Sequence, residues 1–210
     1  MCEGFAGSYY YKYASNSAFQ FFEENGVWSD FLQPEFPSLS LPNQYTLVTG
    51  KHPINHGVIG DYMFDSVLKR YFGAGMSGFD NPIWWNRTKP IWVTAAQQKR
   101  NVALYYWPGC QVDFRSRPQF CLQYSDIALS ENNVDAVIEA TRIYDLVFAY
   151  HNAIGKAGEK IGPNLLKDGK EESILKFGKI VNKIIAEAKK RGDLNVIILS
   201  DHGNNYIIDI

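Results

Sequence analysis

Apolar positions along this chain fall at two spacings, one helical and one continuous, and together they predict most of its elements. Glu171–Lys190 carries the plainest helical period. Ile174, Leu175, Ile180, Val181, Ile184, Ile185 and Ala188 share one face, Lys189, Lys190 and Arg191 suit the negative end of the helix dipole, and Gly192 stops the run. Ser15–Glu24 predicts a shorter helix closed by Asn25-Gly26. Helical spacing also covers Ile91–Lys99 and Val134–Arg142. Continuous apolar runs predict strands at Val102–Trp107, Asp145–Tyr150 and Asn195–Leu199, and Val27–Leu32 is a further strand candidate. Asn55–Tyr71 reads as loop-rich, Gly73–Asn81 as a glycine-rich loop, and the proline-bounded Pro82–Pro90 as a surface loop.

Strands that are apolar throughout and separated by helices imply an α/β fold, with a parallel-rich central sheet and helices on both faces. Active sites of such sheets lie beyond the carboxyl ends of the strands. Tyr150-His151 and Asp201-His202 both fall there.

Composition narrows the function classes. A hydrophobic share of 46 % with 20 % charged residues is that of a globular core, and 15 % aromatics suits large buried surfaces. Net charge is −1 and no basic run tracks a nucleic-acid backbone, so nucleic acid is not an expected partner. No apolar run approaches a bilayer span. Met1-Cys2-Glu3-Gly4 reads as mid-domain sequence rather than a signal peptide.

Candidate chemistry gathers first in Phe36–Gly57. Pro42 suits the first turn of a helix over Tyr45-Thr46-Leu47-Val48, which places Ser40 at or just before the helix N-terminus. Free N–H groups and the dipole favour an anion at that point, a geometry suited to a nucleophile attacking a phosphate. An N-cap serine explains the same position without chemistry. Asp201-His202, directly after a strand, is a metal-ligand pair for zinc or a structural pair. Cys110 and Cys121 flank a short excursion, either as a disulfide or as two free thiols, and Asn86-Arg87-Thr88 is a glycosylation sequon.

The combination is more specific than its parts. Ser40 within FPSLSLPNQYTLVTGKHPINHG and LSDHG at Leu199–Gly203 resemble the ectonucleotide pyrophosphatase/phosphodiesterase family of the alkaline-phosphatase superfamily. The resemblance continues through Pro82–Trp85, Pro90–Thr94, Tyr106–Cys110 and Gly162-Pro163. Serine at position 40, Trp84-Trp85-Asn86 and the run Tyr105–Cys110 resemble its choline-specific glycerophosphodiesterase branch, member six. The resemblance implies a two-zinc phosphodiesterase whose metals activate a hydroxyl nucleophile and clamp the phosphate. It implies a substrate with a choline head group, a glycerophosphodiester or lysophospholipid, and possible membrane-surface association of the full-length protein. Carried over, Ser40 is the nucleophile, and Glu3, Ser40, Asp201 and His202 hold one zinc. Tyr150 lies near the choline pocket, Cys110 and Cys121 form a disulfide, and Asn86 carries a glycan, so the protein is expected outside the cell or at its surface. Residues 1–210 then form part of a catalytic domain, with the first strand cut to Met1-Cys2 and the C-terminal half missing.

The resemblance also has departures. The family's Asp-Gly-Phe reads Glu3-Gly4-Phe5, and a phosphate-holding asparagine aligns with Asp61. The Asp and His of the first zinc site align with Gly155 and Glu159; the first has no donor and the second is a doubtful oxygen ligand. His52, His56 and His151 read as structural or surface residues. At most one zinc and impaired activity are expected. The alternative is an inactive member that binds choline ligands or a protein, or a fragment without independent function.

Overall fold

A computed structural model describes residues 1–13, 17–124, 129–164 and 171–204. In chain order its elements are helices α1 (Gly7–Tyr13), α2 (Ser17–Asn25), α3 (Ser40–Thr49) and α4 (Pro53–His56), then strands β1 (Tyr62–Asp65) and β2 (Arg70–Gly73). Helices α5 (Pro82–Trp85) and α6 (Ile91–Gln97) precede strands β3 (Val102–Tyr105) and β4 (Phe120–Leu122). Helix α7 (Val134–Ala140), strand β5 (Leu146–Ala149) and helices α8 (Ala153–Ile161) and α9 (Glu172–Arg191) complete the order. The chain divides into two compact units, one of Met1–Leu32, Ala128–Arg142 and Tyr150–Ile210, the other of Gln33–Ile127 and Ile143–Ala149.

The second unit holds a parallel sheet in the order β4-β3-β5, an α/β arrangement as the alternation of elements predicts. β3 is its middle strand and is buried along its whole length, so a continuous apolar run satisfies both of its faces. Trp107 packs edge-on to Phe148 of β5, as does Trp92 of α6. A disulfide joins Cys110 to Cys121 and ties β4 to the turn after β3.

The same unit corrects two loop readings. Asn55–Tyr71 contains the end of α4, all of β1 and the start of β2, which pairs antiparallel with β1 from Tyr62↔Gly73 to Asp65↔Arg70. Tyr62 and Phe64 alternate with Met63 and Asp65 along β1, but the turn into β2 has no Asn-Gly or Asp-Gly signal, so the hairpin reads as a loop. Pro82–Pro90 is not a surface loop: Asn81 caps α5 by accepting the Ile83 N–H, and this turns Trp84 and Trp85 inward. Trp85 is 1 % exposed, surrounded by Tyr45, Phe72 and Phe79.

In the first unit α9 lays Ile174, Phe177, Ile180, Val181 and Ile185 inward, with Gly192 in the left-handed conformation at its end. Phe177, absent from the predicted face, is central to that core, whereas Leu175 is exposed. Cys2, Tyr9, Ala18, Phe19 and Ile154 pack into the same cluster. Two predicted strands fail. Val27–Leu32 and Asn195–Leu199 are irregular, and Val27 and Ile197 are 98 % and 81 % exposed. Apolar β-branched runs carry strand propensity, but without a ladder partner propensity alone does not make a strand. Of the predicted helix Ser15–Glu24, residues 15 and 16 lie outside the described residues.

The stub Met1-Cys2 does hold a place in the hydrogen-bonded framework. Cys2 bridges His151 in parallel: the His151 N–H donates to Met1 O at 2.9 Å and the Glu3 N–H to His151 O at 2.8 Å. On its other side the Cys2 N–H donates to Leu199 O at 2.9 Å. Cys2 is buried, 1 % exposed.

Candidate active site

The backbone stitching at Met1–Glu3 delivers Glu3 to the segment that follows Leu199. Gly4 then turns with φ +68°, a conformation that side chains resist, and its N–H donates to Asp201 Oδ1 at 3.3 Å. The His202 N–H donates to the same oxygen at 3.0 Å. Phe5 N–H donates to Ser200 Oγ, whose hydroxyl donates to His202 O at 2.8 Å. These bonds fix Asp201, which is 2 % exposed, with Oδ2 at 3.7 Å from His202 Nε2.

Glu3, Asp201 and His202 thus form one group, with a ligand atom from each within 4.8 Å of the others. His202 Nδ1 lies 3.0 Å from Gly203 O, and Nε2 faces Asp201 Oδ2. An imidazole nitrogen and a carboxylate oxygen 3.7 Å apart beside a second buried carboxylate are a donor set that could hold a divalent cation. Tyr150, 1 % exposed, donates its hydroxyl to Glu3 Oε2, so its contact is with the acidic ligand.

The residues aligned with the other zinc site do not join this group. Gly155 is buried on α8 against Glu3: a Cβ there would lie 3.0 Å from Glu3 Cγ and 3.2 Å from Cδ. Glu159, one turn on, is exposed. The donor set present fits one cation.

Ser40 belongs to the second unit. It is the first residue of α3; Leu39 occupies the N-cap position and supplies no side-chain cap, so Ser40 is not the N-cap. Asn43 fixes the approach: its Oδ1 accepts the Glu35 N–H at 2.7 Å, while its Nδ2 donates to Pro37 O and Leu39 O at 3.0 and 2.9 Å. Asp61 Oδ1 accepts the N–H of Leu41 at 2.6 Å, so this carboxylate stands at the N-terminus of α3 one residue from Ser40. Sequence reading missed Asn43, although an amide in the first turn after Pro42 is a signal for binding a preceding loop.

The remaining histidines have structural partners. His56, 0 % exposed, accepts the Val58 N–H at Nδ1 and places Nε2 3.0 Å from Thr46 Oγ1. His151 Nδ1 lies 2.7 Å from Leu129 O and its ring stacks on Phe177. Burial lowers both to a pKa of about 4, so each is neutral near pH 7. His52 pairs with Glu35 at 2.9 Å on the surface.

The profile of the family described as type I phosphodiesterase / nucleotide pyrophosphatase matches residues 1–207. The chain is a member of that family. It is 32 % identical to an uncharacterized pyrophosphatase/phosphodiesterase of Schizosaccharomyces pombe, over 96 % of this chain and 43 % of that protein. It is 30 % identical to the bis(5'-adenosyl)-triphosphatase ENPP4 of Pongo abelii, over 96 % of this chain and 46 % of the relative. Murine ectonucleotide pyrophosphatase/phosphodiesterase 5, an inactive form in complex with AMP, superimposes with TM-score 0.85 at 28 % identity over 96 % of this chain and 55 % of that one. The chain thus spans about half the length of these relatives. The family's description names phosphodiesterase and nucleotide pyrophosphatase activities, and the Glu3–Asp201–His202 group is this chain's metal-ligand candidate.

Proposed function

We propose that the chain is a phosphodiesterase reduced to a single metal ion. Glu3, Asp201 and His202 hold the ion, which we read as zinc from the one-nitrogen, two-carboxylate donor set. When bound, zinc would supply positive charge for phosphate oxygens. Ser40 is the nucleophile: its Oγ bonds to phosphorus as the bond to the leaving alcohol breaks, and water then hydrolyses the phosphoserine to release a phosphomonoester. Ser40 is presented at the start of α3, where backbone N–H groups favour the anionic phosphate. Asp61 stands at that helix start and Tyr150 orients Glu3.

The observation that carries the single-ion reading is Glu3 against Gly155, since the space a ligand side chain at 155 would need is taken by Glu3 Cγ and Cδ. One ion supplies less charge than two, so turnover is expected to be slow. An inactive member that only binds its ligand is the second reading, and the same loss at Gly155 favours it.

For the substrate we keep a choline-bearing phosphodiester on the resemblance of Ser40, Trp84-Trp85-Asn86 and Tyr105–Cys110. Trp84, Trp85, Tyr106 and Trp107 are core residues, so the support is sequence resemblance and not an exposed aromatic cage. A nucleotide diester is the competing substrate, since solved and curated relatives carry AMP and bis(5'-adenosyl) triphosphate in their descriptions. The Cys110–Cys121 disulfide and the exposed Asn86 sequon support an extracellular or cell-surface setting. Among the described residues no helix is long and apolar enough to cross a membrane.

The test is zinc content of the purified protein together with hydrolysis of p-nitrophenyl phosphocholine and of p-nitrophenyl thymidine monophosphate. One zinc per chain, with turnover on the choline ester that Ser40→Ala lowers at least about a thousandfold, supports the reading. Two zincs per chain overturn the single-ion centre. Faster turnover of the nucleotide ester overturns the choline assignment, and one zinc without turnover establishes the binding-only reading.

A further inference from the structure

The contact between Asp61 and the start of α3 has a chemical consequence for which phosphate esters the site accepts. Helix α3 runs for 10 residues from Ser40 and leaves its first N–H groups without intrahelical acceptors. Those groups and the dipole attract an anion. One of them is already taken: Leu41 N–H donates to Asp61 Oδ1 at 2.6 Å. Asp61 lies 20 positions further along the chain, immediately before β1, so the pairing is a tertiary arrangement and not a local cap. The Asn43 side chain holds Glu35, Pro37 and Leu39 around the helix start, which keeps Ser40 and the Leu41 N–H in fixed relation to that carboxylate.

We propose that Asp61 is a specificity-determining residue that favours singly charged phosphodiesters over doubly charged phosphomonoesters beside Ser40. This rests on the reading of Ser40 as the phosphate-facing nucleophile. A fixed carboxylate repels a phosphate in proportion to the phosphate's own charge. A diester carries one negative charge; a monoester carries close to two above its second pKa of about 6. Asp61 therefore opposes the product of diester hydrolysis about twice as strongly as the substrate. It weakens both, and it turns the helix start from a general anion site into one that releases monoesters.

The experiment compares phosphocholine with its O-methyl ester and AMP with its P-O-methyl ester; within each pair the organic group is shared and the ester carries one charge fewer. Binding of each is measured by calorimetry at pH 8 in zinc-containing buffer, to the wild-type chain and to Asp61→Asn and Asp61→Glu. Asparagine keeps an oxygen for the Leu41 N–H and removes the charge. The expected result, in whichever pair binds, is the monoester bound about tenfold tighter by Asp61→Asn and the methyl ester about threefold tighter, with the gap closing in 1 M salt. Asp61→Glu, still charged, keeps the wild-type ratio of the two affinities. Equal gains for both members of the pair, or no gain for the monoester, overturn the proposal and leave the phosphate site standing. No binding of any of the four ligands by any of the three proteins overturns the reading of Ser40 as phosphate-facing, and the proposal with it.

Discussion

Gly155 and Glu3 share one volume: a Cβ on Gly155 would sit 3.0 Å from Glu3 Cγ and 3.2 Å from Glu3 Cδ. Glu3 is 9 % exposed and its carboxylate is held by the Tyr150 hydroxyl, so the glutamate has little room to yield. Gly155→Ala gains up to about 1 kcal/mol of helix propensity in α8 and loses about 1–3 kcal/mol to overpacking, a net destabilisation on the order of 1 kcal/mol. In a Glu3→Ala background the same alanine becomes neutral or stabilising. Thermal melts of the two single variants and the double variant, all in chelator, measure this coupling. A Gly155→Ala cost that is unchanged when Glu3 is removed would show that the two side chains do not compete for space.

Metal removal acts on the same corner. With no cation, the buried carboxylates of Glu3 and Asp201 remain close to one another at an energetic cost. Zinc at a hundred times its dissociation constant adds about 2.7 kcal/mol to stability, a rise of several degrees in Tm for a chain of this size. Glu3→Gln abolishes that rise while being no less stable than wild type in chelator. Fluorimetric melting with and without zinc reads both effects, and a zinc-induced rise retained by Glu3→Gln would remove Glu3 from the ligand set.

Two buried histidines set a pH dependence of folding. His56 and His151 are both lowered by burial from the ordinary 6.5 to about 4. The unfolded chain therefore binds protons between pH 6.5 and 4 that the folded chain does not, and folding stability falls as pH drops through that window. Each histidine contributes a slope of at most about 1.4 kcal/mol per pH unit, ending near pH 4. Urea unfolding at pH 7, 6, 5 and 4.5 is expected to show the loss, and His56→Gln to flatten it by one proton's worth. A His56→Gln slope equal to wild type would mean that His56 charges freely in the folded state.

Reduction of the Cys110–Cys121 disulfide opens a loop of 11-residue separation. Loop-closure entropy places its contribution at about 3 kcal/mol. The Cys110→Ser/Cys121→Ser variant should melt several degrees lower, with the loss confined to the unit containing β3 and β4. Hydrogen exchange resolved by peptide would locate the change. Protection lost first around α9 would contradict the assignment, because that helix belongs to the other unit.

Elements with a long period or a continuous apolar run were legible in the sequence. α9, α6, α7, β3 and β5 come from side-chain spacing within the element itself, and such spacing survives in any fold that buries them. Ser40 at a helix start followed from Pro42, and the parallel sheet from buried strands alternating with helices. Asn195–Leu199 and Pro82–Pro90 were misread because strand formation depends on partners elsewhere in the chain and because a four-residue helix carries no period. Asn81 capping Ile83 and the burial of Trp84 and Trp85 decided the second case.

At the candidate site the sequence determined which groups are available: a serine at a helix start, two acids and a histidine with metal-binding chemistry, and a glycine where the resemblance expects a ligand. It left open what each one touches. Only the tertiary structure placed Glu3 beside Asp201 and His202, packed its methylenes into the space above Gly155, gave Tyr150 to Glu3, and set the Asp61 carboxylate on the Leu41 N–H. The reason is physical. Side-chain chemistry and periodicity are local properties of the chain, whereas ligand geometry, burial and the field around a phosphate are set by segments far apart in sequence, as Glu3 and Asp201 are.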